Sequence, residues 1–578
     1  MKTLWQWFAG EQPAQTDHQT SPLGFAGDVG ETASVTIPNR LSLSRLLGLF
    51  LLIGFLARAI RYYLCFPLWD DESFLCVNFI NRSYAELLNP LDYHQVAPVL
   101  FLWAERACVQ MFGFSEYALR LVPFVCSLLS LVLFHRVAQR LLSGPGLLFA
   151  VAIFAVSYPG IRYGAEAKPY GTDLFLSLGI LALVVEWIER RDQRILWGLA
   201  ALMPLALGAS YPAVFTGGGL SLVVGSLLLA QRGSRAEWLS WMGWNVSLVL
   251  SFGVWFTLVG KVQSGAEGEF MGEYWKQNFP PVRQPLELPY WMLKTHASDF
   301  LAYPLGGPKW ASSLTLCLCL AGLWRLVSQC RSVWLGLLLG PAGLHFLAAA
   351  LQKYPYGGHV KFSQYLAPMI CCLAAVGIVQ LLDLRTRWGY SAKTRFAWGA
   401  VILAVIGFGD IARDLVSPYK TRSDERARAF AQAFWPGTHF AEEVVCLKSD
   451  WGLDFVPEQH QELSWSAHYY CNRAIEVSRG RLRSGDESRV TVDRPLRCVL
   501  YREDRYALDR SGLENWLQGM QERYELVGRE SVPLPRRAKD DRRLVTMEYV
   551  DSYRFVPRAD SRLSTPLPTA DGRLNPAR

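Results

Sequence analysis

Charge is scarce in this chain. Asp, Glu, Lys and Arg make up 19% of its 578 residues, against roughly 25% in soluble domains, while hydrophobic residues reach 51%. That balance excludes a disordered chain and an ordinary soluble enzyme. Internal repeats and low-complexity segments are missing, so nothing marks the matched halves from which many transporters are built. Absent too are G-x-x-x-x-G-K-[ST], H-E-x-x-H and G-x-S-x-G, which leaves P-loop phosphate binding, zinc proteolysis and the hydrolase nucleophile elbow without their signatures. The first 40 residues are polar and lack a short apolar core followed by a small-residue cleavage site, so the first apolar segment reads as an uncleaved signal anchor. Zinc-ligand spacing is wanting among the 12 Cys: the pairs Cys317/Cys319 and Cys371/Cys372 have no His nearby and read as packing residues. Cys446, Cys471 and Cys498 lie in the polar C-terminal part, where a non-cytoplasmic location permits one disulfide and one leftover thiol.

What the chain does have is long apolar runs, concentrated between residue 41 and about residue 415. Crossing the hydrocarbon as a helix takes about 20 such residues. Eleven candidate spans lie near 41–60, 119–138, 147–163, 170–188, 195–212, 213–231, 239–260, 311–328, 333–351, 361–382 and 396–415. The stretch 97–112 is short and carries Glu105 and Arg106 at its centre, so it reads as a span or as a helix at the interface. With it left out of the bilayer, Arg136 and Arg140, then Arg190, Arg191 and Arg194, Arg232 and Arg235, Arg325 and Arg331, and Arg385, Arg387, Lys393 and Arg395 all fall on one side, with Arg40 and Arg45. That side is cytoplasmic. The net charge of +8 therefore signals topology, not nucleic-acid binding.

The opposite side receives loop 61–118, the turn 162–169, loop 261–310, the turn 352–360 and everything after residue 415. The fold class that follows is an α-helical polytopic membrane protein with a C-terminal extracytoplasmic α/β domain. Its parts are a cytoplasmic polar tail (1–40), a transmembrane catalytic domain (41–415), the α/β domain (416–560) and a disordered tail (561–578). Within the α/β part, Ala441–Phe455, Leu496–Tyr501 and Arg543–Val556 read as strands and Ser511–Leu526 as a helix.

Three outward clusters carry candidate chemistry. In Pro67-Leu68-Trp69-Asp70-Asp71-Glu72, three consecutive carboxylates follow the first span. Either Asp70 or Asp71 caps a helix beginning near Glu72, or one carboxylate takes a proton from an attacking hydroxyl while a second orients it or a cation. The second cluster is Arg162-Tyr163-Gly164-Ala165-Glu166-Ala167-Lys168-Pro169-Tyr170, with Asp173 one turn into the next span. Glu166 pairs with Arg162 or Lys168 there, or serves the reaction; Asp173, at a bilayer entrance, must find a protein or water partner. The third, Tyr354-Pro355-Tyr356-Gly357-Gly358-His359-Val360-Lys361, offers cationic donors at His359 and Lys361 beside glycines that permit close approach, or is a glycine turn with a snorkelling lysine. Tyr93-His94-Gln95 and Ser210-Tyr211-Pro212 are weaker signals, readable as interfacial aromatic turns. Acids and cations meeting on one face suit transfer from a lipid-anchored sugar phosphate: a carboxylate activates the acceptor and cations stabilise the departing phosphate.

Taken in order, Asp71-Glu72, His94-Gln95-Val96-Ala97-Pro98, Phe112-Gly113-Phe114-Ser115-Glu116-Tyr117-Ala118-Leu119-Arg120, Glu166-Ala167-Lys168-Pro169-Tyr170 and Tyr354-Pro355-Tyr356-Gly357-Gly358 resemble the polytopic GT-C glycosyltransferases over residues 41–415. The branch they resemble includes protein O-mannosyltransferases, aminoarabinose transferases of lipid A and galacturonosyltransferases of lipopolysaccharide. The resemblance implies a polyprenyl-phosphate-linked monosaccharide as donor. It implies a glycan, glycolipid or protein hydroxyl as acceptor on the outer face of a bacterial inner membrane, and inversion at the anomeric carbon. It assigns the base to Asp71, with Glu72 beside it and Asp70 as an extra acid, and a second-loop acid to Glu166. Lys168 and Tyr170 would line the same cavity. His94 and Gln95 stand where some relatives contact lipid phosphate, and His359 or Lys361 replaces a late arginine. Some relatives use a divalent metal and others do not.

A flippase of lipid-linked sugars is the rival reading, but it calls for ionisable residues near mid-membrane, and here the acids gather at one surface. A non-catalytic membrane scaffold is the third. Cysteine labelling or reporter fusions at Asp71, Glu166 and His359 should place all three on the same, outer side; a split across the bilayer would end the transferase reading.

Overall fold

The computed structural model describes residues 40–263, 275–383, 392–416, 443–447, 466–479, 495–503, 510–522, 524–537 and 545–558, with Pro418, Glu425, Arg428, Ala429 and Gln432. The expected tails up to residue 39 and from 561 lie outside these residues, as do Arg385 and Arg387. The membrane part is helical: α1 Arg40–Tyr63, α2 Asp70–Cys76, α3 Val99–Phe112, α4 Leu121–Leu141, α5 Gly144–Val156, α6 Tyr170–Arg190, α7 Gln193–Ala209, α8 Ala213–Ala230, α9 Arg235–Trp255, α10 Ser313–Ser328, α11 Ser332–Ala350, α12 Ala367–Asp383 and α13 Ala392–Val416. Each of the eleven expected spans falls on one of these helices. Among the described residues, seven helical stretches are long and apolar enough to cross a membrane, namely Leu43–Tyr63, Leu121–Leu141, Tyr170–Arg190, Ala213–Ala230, Arg235–Gln263, Ser332–Ala350 and Gln364–Leu382, while α5, α7 and α10 are shorter apolar helices. Exposed apolar side chains such as Leu222, Leu229, Val249, Leu250, Leu314 and Trp324 are what a lipid-facing surface requires.

Arg140 pairs with Glu186 and Glu189, Arg190 with Glu186, and Arg191 with Glu237 and Gln231, which ties neighbouring ends of α4, α6, α8 and α9 together. The 14-residue helix α3 buries Glu105 completely, so 97–112 packs against protein and is too short to span unaided.

One expected span is broken. Instead of running over 147–163, helix α5 stops at Val156, Ser157 is extended, and a short helix resumes at Tyr158–Tyr163. Pro159 is the cause: in a continuous helix its ring would collide with the Ala155 carbonyl, four residues back. The freed Ala155 carbonyl accepts a hydrogen bond from Arg58 Nη1 at 2.9 Å, and Ser157 Oγ returns to the Ile153 carbonyl at 2.6 Å. Arg58 gets there because α1 passes α5 at Gly54, where a Cβ would sit 2.9 Å from that of Ala155. Residues 146–156 are all buried, and α1, α4, α12 and α13 pack around α5. This central helix is the post on which the turn 162–169 stands.

After residue 416 the described chain forms a four-stranded mixed sheet, β1 Glu443–Leu447, β2 Leu496–Glu503, β3 Tyr524–Arg537 and β4 Val545–Pro557, in order β1-β2-β4-β3, with helices α14 Ser466–Ser478 and α15 Arg510–Gln521. β1 and β2 are parallel; the other pairs are antiparallel. The α/β expectation holds, with two additions, α14 and β3. Expected as helix to Leu526, the segment ends at Gln521 because Tyr524 already pairs with Pro557. Strand β3 tolerates Pro533 and Pro535, which argue against a strand, because it lies at the sheet edge. The thiol of Cys471 is free and buried; the side chains of Cys446 and Cys498 lie outside the described residues, though their strands are neighbours.

Candidate active site

Loop 61–118 is anchored by an ion pair removed from water. Glu72, in the first turn of α2, is 1% exposed, and its carboxylate takes Arg120 Nε at 2.7 Å and Nη2 at 2.6 Å. The same carboxylate accepts the Ala167 N–H at 2.7 Å and the Trp69 N–H at 3.3 Å. Arg120 also donates to the Phe66 and Pro67 carbonyls. Four donors fill the acceptor positions of Glu72, so it buckles the first outer loop to the second and has no lone pair left for a substrate. The capping alternative is corrected as well: α2 begins at Asp70 with Trp69 before it, and Glu72 takes the Trp69 N–H, so neither Asp70 nor Asp71 is the cap.

Asp71 is the acid left facing the gap. Its carboxylate, one-third exposed, lies 3.5 Å from Lys361 Nζ, which also sits over the Trp275 ring at 4.7 Å. Lys168 approaches from the second loop and donates to Gln95 Oε1 at 2.7 Å. Burial pulls the Lys168 ammonium below the usual lysine range, with Asp71 opposing that shift and Lys361 adding to it. Tyr170, edge-on to Tyr163 at 5.0 Å, stands within electrostatic reach of Asp71 and Glu166. Residues of the first, second and late outer turns thus meet at one place. The side chains of Asp70 and His94 lie outside the described residues.

Other expected site residues divide. Arg162 and Glu166 form an ion pair at 2.5 Å, the local alternative read from the sequence, with the guanidinium over Trp69, while Glu166 Oε2 is buried without a partner. His359 stands edge-on to Trp275 at 5.4 Å, two residues before Lys361. The late turn is fixed by Asn278, whose carbonyl accepts the Tyr356 and Gly357 N–H groups. Gly358, at φ +82°, presses so close that a Cβ would meet Asn278 Oδ1 at 2.2 Å. Tyr356 does not reach the acid–lysine cluster: it is buried against Phe300 at 4.4 Å and bonded to His296 Nε2 at 3.1 Å. Tyr211 bonds to Gln263 Oε1, and Asp173 is buried deeper, in the first turn of α6.

Arg120 received no role from the sequence. Its signal was there: an arginine on the outer side of a span runs against the charge rule and demands a partner. Among the described residues no three His, Cys, Asp or Glu side chains come together to hold a metal ion. Among the described residues, the set around Asp71, one carboxylate with two ammonium groups, does not fit a divalent cation.

Residues 96–256 match the family described as dolichyl-phosphate-mannose-protein mannosyltransferase. Over that stretch the resemblance to GT-C glycosyltransferases holds. Among solved structures, the chain is similar to ArnT from Cupriavidus metallidurans in the apo state, at 11% identity and TM-score 0.49, covering 88% of this chain and 98% of that one. The same protein bound to undecaprenyl phosphate gives 12%, 0.48, 89% and 98%. Archaeal oligosaccharyltransferase AglB from Archaeoglobus fulgidus, in complex with an inhibitory peptide and a dolichol-phosphate, gives 11%, 0.42, 75% and 64%. No curated protein matches the chain.

If Glu72 is a buckle, Arg120→Met strands a buried carboxylate and should cost roughly 3–5 kcal/mol. In detergent-melting measurements, adding Glu72→Gln to Arg120→Met should then recover part of that loss. A double variant no more stable than the single one would rule out the pairing.

Proposed function

We propose that this membrane protein is a glycosyltransferase that moves a monosaccharide from a polyprenyl-phosphate donor to an acceptor hydroxyl on the outer face of a bacterial inner membrane. The observation that carries the reading is the Asp71 carboxylate held against Lys361, with Lys168 beside it, where three outer turns meet. Asp71 takes the proton of the acceptor hydroxyl as its oxygen bonds to the anomeric carbon. The bond from that carbon to the phosphate oxygen breaks, and its electron pair leaves on polyprenyl phosphate. Lys168 and Lys361 lie where the negative charge grows and stabilise it most in the transition state. A single displacement inverts the anomeric centre. Glu72 positions Asp71 through the buckle and does not touch substrate. Contacts of α14 with the first outer loop support placing the part after residue 416 outside the cytoplasm, with Cys471 Sγ 3.6 Å from the Ser73 carbonyl and Arg479 3.1 Å from Glu116.

In liposomes supplied with radiolabelled polyprenyl-phosphate sugars and membrane extract, Asp71→Asn should lower transfer by about 10²–10⁴-fold; undiminished label transfer would remove Asp71 as the base. Lys168 must be protonated to hold the donor phosphate. Its charge is lost as pH rises through a value below the ordinary lysine range, so the donor KM should climb on the alkaline side. Lys168→Arg, which stays charged, should push that limb to higher pH; a limb that does not move would exclude Lys168 from donor binding.

A further inference from the structure

Apart from the Asp71–Lys361 contact, Gln263 Nε2, His345 Nδ1 and Tyr365 Oη are buried without a hydrogen-bond partner, and the buried side chains of Asp173 and Ser210 face each other, with Asp173 Oδ1 left over. Their residues are between 0% and 5% exposed. Buried polar atoms without a partner are uncommon in folded proteins, and several close together suit a polar ligand.

They do gather. Ser177 and Thr216, joined at 3.0 Å, lock α6 against α8. Asp173 lies one helical turn before Ser177, Ser210 precedes α8 by one turn, and the two side chains lie beside each other. Gln263 uses its Oε1 for Tyr211 Oη at 3.4 Å and the Ala97 N–H at 3.3 Å, which turns its amide Nε2 to the interior. His345 Nε2 is 2.8 Å from the Pro355 carbonyl and so carries the proton, leaving Nδ1 an acceptor. The His345 ring lies flat on Phe215 at 5.2 Å and stands 5.7 Å from Tyr365. Asp173 is within electrostatic reach of Tyr354 and Tyr365. The chain of contacts from Lys168 to Gln95, and from Ala97 to Gln263, connects this interior to the acid–lysine cluster.

We propose that these five groups form the donor-sugar subsite, and that the sugar they select is rich in hydroxyls and carries no carboxylate. The inference rests on the transferase reading above. Acceptors at Asp173 and His345, a donor at Gln263 and hydroxyls that do either at Ser210 and Tyr365 match sugar hydroxyls, each of which gives one hydrogen bond and accepts others. Phe215 and Tyr354 supply aromatic walls for the apolar face of the ring. A uronate would carry its carboxylate into a buried interior beside Asp173, among groups that include no lysine or arginine to offset its desolvation, which disfavours it.

Purified full-length protein would be offered three donors: a polyprenyl-phosphate-linked neutral hexose, an aminopentose and a hexuronate. Binding would be read by thermal stabilisation against bare polyprenyl phosphate, and transfer by label. The hexose or the aminopentose should bind at least about tenfold more tightly than the bare lipid and the hexuronate. The shape-preserving variants Ser210→Ala and Tyr365→Phe should each weaken binding of the sugar-bearing lipid about fivefold, the worth of one neutral hydrogen bond, and leave bare polyprenyl phosphate binding unchanged. A hexuronate bound best, sugar-bearing lipids bound no better than the bare one, or variants without effect on sugar binding would each overturn the subsite. Selective binding without transfer from any donor would uphold it and defeat the transferase reading instead.

Discussion

A carboxylate and a guanidinium, both almost wholly removed from water, join the start of the first outer loop to the entrance of α4, and one carboxylate oxygen also collects the N–H of Ala167 from the second loop. Two loops separated by nearly a hundred residues are thereby held in one register. Burying the pair is costly, and its Coulombic gain repays that cost only because the remaining lone pairs and N–H groups are also satisfied, by Trp69, Phe66 and Pro67. What the arrangement supplies beyond stability is position: Glu72 is pinned, and the adjacent Asp71 lies 3.5 Å from Lys361 and within electrostatic reach of Lys168.

Neighbouring acids thus divide the labour by environment. Glu72 is satisfied and inaccessible, whereas Asp71 keeps partial contact with water and faces ammonium groups. The second loop repeats the division with opposite charges. Arg162 is consumed by Glu166 and stacked over Trp69, while Lys168 remains beside the acid. A transporter would carry ionisable groups through the depth of the bundle; the central helix α5 carries none.

The helices were legible because a run of about 20 apolar residues has few alternatives, and the three clusters because charge at a bilayer edge needs a partner. The break in α5 was legible in principle from Pro159, but hydropathy over 147–163 runs straight through it. Choosing among Asp70, Asp71 and Glu72 could not be done locally, since the deciding partner, Arg120, is 48 residues away. Tyr356 stood next to the late glycines in sequence, yet its ring turns into the aromatic core around Phe300, His296 and His345. The convergence of Ser210, Gln263, His345 and Tyr365 is purely tertiary: each is an ordinary residue near a helix end, and only packing shows that their polar atoms share an interior.

The chain after residue 416 does more than hang beyond the bundle. Cys471 and Ile475 of α14 complete the hydrophobic cluster formed by Leu75, Cys76, Phe79, Phe101 and Phe114, which is the floor beneath α2. Glu116, 1% exposed just before α4, is gripped by both Arg428 and Arg479. The loop that presents Asp71 is therefore held from below by Arg120 and from outside by residues hundreds of positions later. Any displacement of α14 would expose part of that apolar floor and leave Glu116 buried without its cations, so the position of α14 and the position of the loop that carries Asp71 are energetically coupled.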